Sequence, residues 1–162
     1  MILYHGSYTI IEKPDLSFSR LKTDFGKGFY LTPLKAQAAS WSQRFLRERG
    51  AAISSYEFLS SLGDRLPHDM KILEFDTHNL EWLNFITACR LGQSVDAEWD
   101  LVIGGVANDK VFDTLQLYFD NLIGVDEAIG RLRYNKPNFQ YCFKTQSFID
   151  RYLKFIDFEV LK

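Results

Sequence analysis

The chain has 162 residues, 46% hydrophobic and 25% charged, with a formal net charge of −2. Wholesale disorder is excluded, and the length fits one domain with a core of its own, burying roughly 70% of the unfolded surface. A pI near 5.9 weighs against a domain that coats nucleic acid, because such domains are strongly basic. It leaves a local basic patch open.

Residues 2–5 (ILYH) read as a short strand ending at Gly6. Residues 9–24 read as an irregular loop around Pro14, and 28–31 (GFYL) as a second strand. Thr32 is placed as an N-cap with Pro33 at the first helical position. Leu34, Ala38, Trp41 and Phe45 follow at helical spacing, and Gly50 closes that helix. Residues 53–58 and 71–75 read as strands, separated by turn residues. Residues 80–90 read as a helix that Gly92 caps after Leu91. The apolar run 99–103 (WDLVI) reads as a strand leading into Gly104 and Gly105.

Val111, Leu115, Tyr118 and Leu122 mark a further helix, and 126–133 a short one. Residues 139–144 read as a strand whose alternation puts Gln140 and Cys142 on one face, opposite Tyr141 and Phe143. A helix over 147–153 and a strand over 154–161 complete the chain. Strands and helices mix without a regular βαβ rhythm, which predicts an α+β fold. No repeat or linker divides the chain, so one domain over 1–162 is expected.

Cys89 and Cys142 lie far apart in apolar runs and are expected to be buried thiols of a reducing compartment. No CxxC pair occurs, and His5, His68 and His78 are dispersed, so no metal is expected. The N-terminus has neither the basic start nor the apolar run of a signal peptide, and no run approaches a membrane span. A cytoplasmic setting without membrane partners follows as an expectation.

Three segments carry candidate chemistry. In Tyr4-His5-Gly6-Ser7, an imidazole and a hydroxyl flank a glycine at a strand end. Gly6 would let a flat ligand approach the backbone; the plain alternative is a turn. In Asp24-Phe25-Gly26-Lys27-Gly28-Phe29-Tyr30, two glycines bracket a lysine before an aromatic strand. The spacing fits neither common phosphate-binding glycine motif. Tyr30 offers a ring for a flat heteroaromatic; the alternative is a glycine turn. The third segment, Asn138-Phe139-Gln140-Tyr141-Cys142-Phe143-Lys144, is an undistinguished strand when taken alone.

Together, HGS, FGKGFY and a strand that opens on a polar residue followed by Tyr resemble the ADP-ribosyltransferase superfamily. The branch is the His–Tyr–Glu one of poly(ADP-ribose) polymerases and diphtheria-type toxins. The chain is closer still to small, stand-alone bacterial toxin-antitoxin or phage-defence transferases. Those share YHGS, DFGKGFYLT, a QA…W helix and QYxFKT. The resemblance implies a fold of two small, mostly antiparallel sheets with an NAD cleft between them. It implies NAD as co-substrate, a macromolecular acceptor and a cognate antitoxin as a possible partner.

Carried over by position, His5 would bond the adenosine-side ribose, and Gly6 would hold the nicotinamide carboxamide with help from Ser7. Tyr30 would stack on the nicotinamide ring. Phe25, Gly26 and Gly28 would shape the cofactor-binding loop, and Gln37 is a further candidate contact. Gln140 falls where the superfamily has its catalytic Glu. Breaking the nicotinamide–ribose bond passes through an oxocarbenium-like state, and nicotinamide leaves neutral without a general acid. Gln140 can accept a bond from the ribose 2′-hydroxyl but supplies no full charge and no base. Single transfer to an already nucleophilic acceptor is therefore expected rather than chain elongation. The alternatives are a degenerate module that binds NAD or ADP-ribose, an NAD glycohydrolase and an RNA 2′-phosphotransferase.

Other polar residues receive plainer expectations. Lys27 is expected in solvent, Trp41 in the core and Asp109 as an N-cap beside Asn108. Arg131, Arg133 and Lys136 are expected at a solvated helix end.

Overall fold

Short strands of alternating burial build two sheets. The computed structural model describes residues 1–59, 70–107, 109–133 and 138–162. The first sheet has the order β1-β3-β7, from Ile2–Ser7, Ala51–Phe58 and Leu153–Leu161, all antiparallel. The second has the order β2-β6-β5-β4, from Phe29–Leu31, Phe139–Phe143, Leu101–Gly105 and Ile72–Glu74. Only its β4–β5 pair is parallel. Five α-helices are described: α1 (Lys35–Gln43), α2 (Leu80–Arg90), α3 (Asp109–Phe119), α4 (Val125–Leu132) and α5 (Gln146–Tyr152). The α+β class and the two small, mostly antiparallel sheets agree with expectation.

Two apolar layers hold these elements together. Between the sheets lie Leu3, Phe29, Leu31, Tyr56, Leu101 and Phe143, with Phe148 and Tyr152 of α5. Behind the second sheet, Phe25, Val102 and Cys142 pack on Trp82, Ile86, Val111 and Leu115 of α2 and α3. Strand β5 is buried along its whole length, which explains its unbroken apolar run. Phe143 sits in the first layer and Cys142 in the second, so the predicted alternation of β6 holds. The two sheets are tied by a bridge between Tyr4 and Thr32, with both backbone bonds made, at 2.8 and 2.9 Å.

That bridge corrects the expected cap at Thr32. Its residue is extended and buried, and Leu34 occupies the cap position of α1. The Thr32 hydroxyl accepts the Leu34 N–H and donates to the Phe139 carbonyl, so it serves the sheet contact instead. Helix α1 also stops at Gln43, short of Gly50. Beyond it, Phe45, Leu46 and Glu48 bond three residues back, a tighter turn. Phe45 then packs edge-on against Tyr8.

Helix α2 ends as expected, with Gly92 at φ +80° and Gln93 N–H on the Ala88 carbonyl. Helix α3 ends before Leu122, because Asn121 takes the left-handed conformation at φ 57°. Asp109 is the first residue of α3 rather than its cap. Strand β5 runs through Gly104, where a Cβ would meet the Phe25 ring at 3.0 Å. Both cysteines are free and buried. Burial pushes each thiol up to about 12, so neither is a ready nucleophile. No helix among the described residues is long and apolar enough to cross a membrane. His68, Asn108 and Lys136 lie outside the described residues.

Candidate functional site

A cleft of about 940 Å³ opens where β1 of the first sheet meets β2 and β6 of the second. That is near the upper end for small-molecule sites, about 300–1,000 Å³. His5, Tyr30 and Gln140 all line it, as do Gly6, Ser7 and Gly28. The irregular segment 8–24 forms one wall. It is held by Ser54 Oγ on the Ile11 N–H and by Gln146, whose side chain bonds both Leu16 and Pro14.

Alternation puts His5 on the same inner face of β1 as Leu3, further along the strand, where the layer between the sheets opens into the cleft. Its ring stacks on Phe29 at 4.5 Å. Nδ1 lies 2.7 Å from the Tyr30 carbonyl oxygen. A carbonyl only accepts, so Nδ1 carries the proton and Nε2 of the neutral ring is left as an acceptor. Burial lowers the His5 pKa below 6.5, despite the Tyr30 bond. Burial lowers that of His78 as well; its ring packs on Trp82 with neither nitrogen bonded.

These shifts make a stability prediction. The unfolded chain protonates at about pH 6.5, whereas both folded rings protonate only at lower pH. The urea midpoint should therefore fall as pH drops through about 6.5, before the carboxylates titrate. A midpoint unchanged between about pH 7.5 and 5.5 would contradict neutral burial of the two rings.

Tyr30 stands on the opposite face of β2 from Phe29 and Leu31, which belong to the core between the sheets. Its hydroxyl accepts the Phe25 N–H at 2.9 Å and donates to the Gly26 carbonyl at 2.7 Å. Thr23 Oγ1 lies 2.8 Å from it. Burial pushes the phenol well above its usual range, so it stays protonated. The hydroxyl thus anchors the turn over 23–26 and leaves the ring beside the cleft.

The glycines act differently from expectation. A Cβ on Gly6 would lie 1.8 Å from the Ala38 carbonyl oxygen. The missing side chain therefore admits the backbone of α1, although Gly6 also borders the cleft. Gly26, at φ +70°, faces the Asp96 carboxylate and does not line the cleft; Gly28 lies against Cys142 Sγ. Phe25 is fully buried in the second core and does not line the cleft. Lys27 is exposed, as expected.

Gln37 also stops short of the cleft, and both ends of its amide are buried without a bond. Trp41, one turn further along α1, lines the cleft instead of filling the core. One helical turn is about 5.4 Å, enough to separate them. Arg131 pairs with exposed Glu127 one turn away, at the solvated end expected.

Four residues given no role by the sequence reading lie in the cleft or behind its FGKG turn. Asp24 receives Arg90, the Ala107 N–H and Gln140 Nε2. The Lys144 side chain is 4% exposed and reaches the Phe25 and Lys27 carbonyls and Asp96. Arg20 and Arg44 line the cleft and form no ion pair among the described residues. Burial and the Arg20 charge together lower the pKa of Arg44. Like charges left facing one cleft suit an anionic ligand. Asp24 and Lys144 do fall inside the quoted DFGKGFYLT and QYxFKT segments, which is the signal that could have found them.

The chain belongs to DUF3990, a family described as proteins of unknown function, whose model matches residues 1–155. No curated protein and no solved structure matches it.

Proposed function

We propose that this chain has an ADP-ribosyltransferase-like fold and is an NAD-dependent mono-ADP-ribosyltransferase. The observation that carries the reading is convergence. His5, Tyr30 and Gln140, singled out from three separate segments, line one cleft. The NAD adenosine-side ribose would donate a hydroxyl hydrogen bond to His5 Nε2. Nicotinamide would stack on Tyr30, with its carboxamide at the Gly6 backbone and Ser7. Arg20 and Arg44 suit the pyrophosphate.

In the reaction, the bond between nicotinamide and ribose C1′ breaks, and its electron pair leaves with nicotinamide. The acceptor nucleophile then bonds to C1′, and its proton passes to solvent or to a base of its own. Gln140 accepts the ribose 2′-hydroxyl and stabilises the positive charge as a dipole. A protein or nucleic-acid acceptor fits this chemistry, as does a cytoplasmic toxin or defence effector held by a cognate antitoxin.

Labelled NAD incubated with the folded protein and a cell lysate tests the reading. Transfer of label to a macromolecule with release of nicotinamide is expected. Neither product appearing would overturn it. A second reading draws support from Asp24, the carboxylate bonded to Gln140, which is also engaged by Arg90 and offers no free base. In that reading the chain binds NAD or ADP-ribose without turnover, seen as calorimetric binding with no nicotinamide released.

A further inference from the structure

Gln140 and Asp24 are distant in sequence and meet beside the cleft. Gln140 Nε2 donates to Asp24 Oδ2 at 2.9 Å. The same oxygen accepts the Ala107 N–H at 3.3 Å, and Oδ1 accepts both Nε and Nη2 of Arg90. An ionised carboxylate only accepts, so the NH₂ end of Gln140 must face Asp24 and Oε1 must face away. No donor among the described residues meets Oε1, and Gln140 lines the cleft. Gly104 lies directly opposite Gln140 across the β5–β6 ladder and has no side chain to reach it.

We propose that Asp24, held by Arg90, is a positioning residue that fixes the Gln140 amide with its oxygen toward the cleft. The inference rests on the transferase reading for its consequence, since the ribose 2′-hydroxyl is what Oε1 would accept. Asp24 and Arg90 neutralise each other, so the pair orients Gln140 and takes no proton. The arrangement also explains why Glu does not suit position 140. A second carboxylate would stand against Asp24 with no donor of its own to offer it, and like charges so close cannot both ionise comfortably.

Three full-length variants test this: Asp24→Asn, Gln140→Glu and the double Asp24→Asn/Gln140→Glu. Asp24→Asn keeps the shape and lets the Gln140 amide turn over. It should lower kcat for nicotinamide release about 10- to 100-fold, as loss of an orienting partner does. KM for NAD should change by less than about threefold. Gln140→Glu should be similarly slow, and the double variant at least about tenfold faster than Gln140→Glu, because the charge conflict is gone.

The side-chain NH₂ signals of Gln140, identified by their loss in Gln140→Glu, give a readout free of activity. In the ligand-free protein they should move in Asp24→Asn while the backbone spectrum is kept. An unmoved amide overturns the proposal, as does Asp24→Asn with kcat within about threefold of wild type. A double variant no faster than Gln140→Glu does the same. If the wild-type protein releases no nicotinamide, the transferase reading fails, and the amide spectrum alone decides the positioning role.

Discussion

Tyr30→Ala should weaken NAD binding about 100-fold, close to 2.7 kcal/mol. Two losses combine in that figure. The ring that nicotinamide would stack on disappears, worth about 1–3 kcal/mol by analogy with base stacking. The turn over 23–26 also loses its anchor, because the Tyr30 hydroxyl bonds Phe25, Gly26 and Thr23 together. Tyr30→Phe separates the two. It keeps the ring and leaves the Phe25 N–H without a partner, which costs about 1–3 kcal/mol of stability. Calorimetric titration with NAD should therefore rank wild type first, Tyr30→Phe next and Tyr30→Ala last. Equal affinity for wild type and Tyr30→Ala would remove nicotinamide from this wall of the cleft.

Lys144→Met should have the largest effect on stability. The ammonium is almost wholly buried and holds two carbonyls of the FGKG turn together with Asp96. Removing one partner of a buried pair leaves the other charge uncompensated, at a cost of about 3–5 kcal/mol. For a chain of this size that lowers Tm by about 10 °C. Asp96→Asn added to Lys144→Met should recover part of the loss, because the orphaned charge is then gone. Thermal unfolding checks both. A Tm for Lys144→Met within about 2 °C of wild type would show that Lys144 does not clamp the turn.

The fold was legible wherever local rules act alone. Gly92 ends α2 because only a left-handed residue closes that cap, and the alternation in 139–143 placed Gln140 and Cys142 on one face. The misses came where a distant segment claimed a residue. Thr32 looks like a cap from its neighbours, yet Tyr4 across the sheet draws it into a bridge. Helix α3 is a local exception: left-handed Asn121 follows its last residue, Phe119, so it stops three residues before the apolar spacing does. Gly6 reads as a ligand-facing glycine until α1 is seen to occupy its open side.

The site divides in the same way. His5, Tyr30 and Gln140 stand in segments that can be read locally and then compared with a family. Asp24 and Lys144 act only through partners far away in the chain, Gln140 and Arg90 for the first and Asp96 for the second. No spacing rule joins those positions. Arg20 and Arg44 come to face one cleft, with no ion pair among the described residues, only once the 8–24 segment is folded beside α1.

The cleft is proposed to move ADP-ribose from NAD to a macromolecule. Mass spectrometry of protein and nucleic acid from cells expressing the wild-type chain, beside cells expressing Tyr30→Ala, tests it most directly. ADP-ribose on a defined acceptor in the first culture and its absence from the second is the predicted result. No added ADP-ribose in cells holding the folded wild-type protein, or the same adduct with both chains, would contradict it.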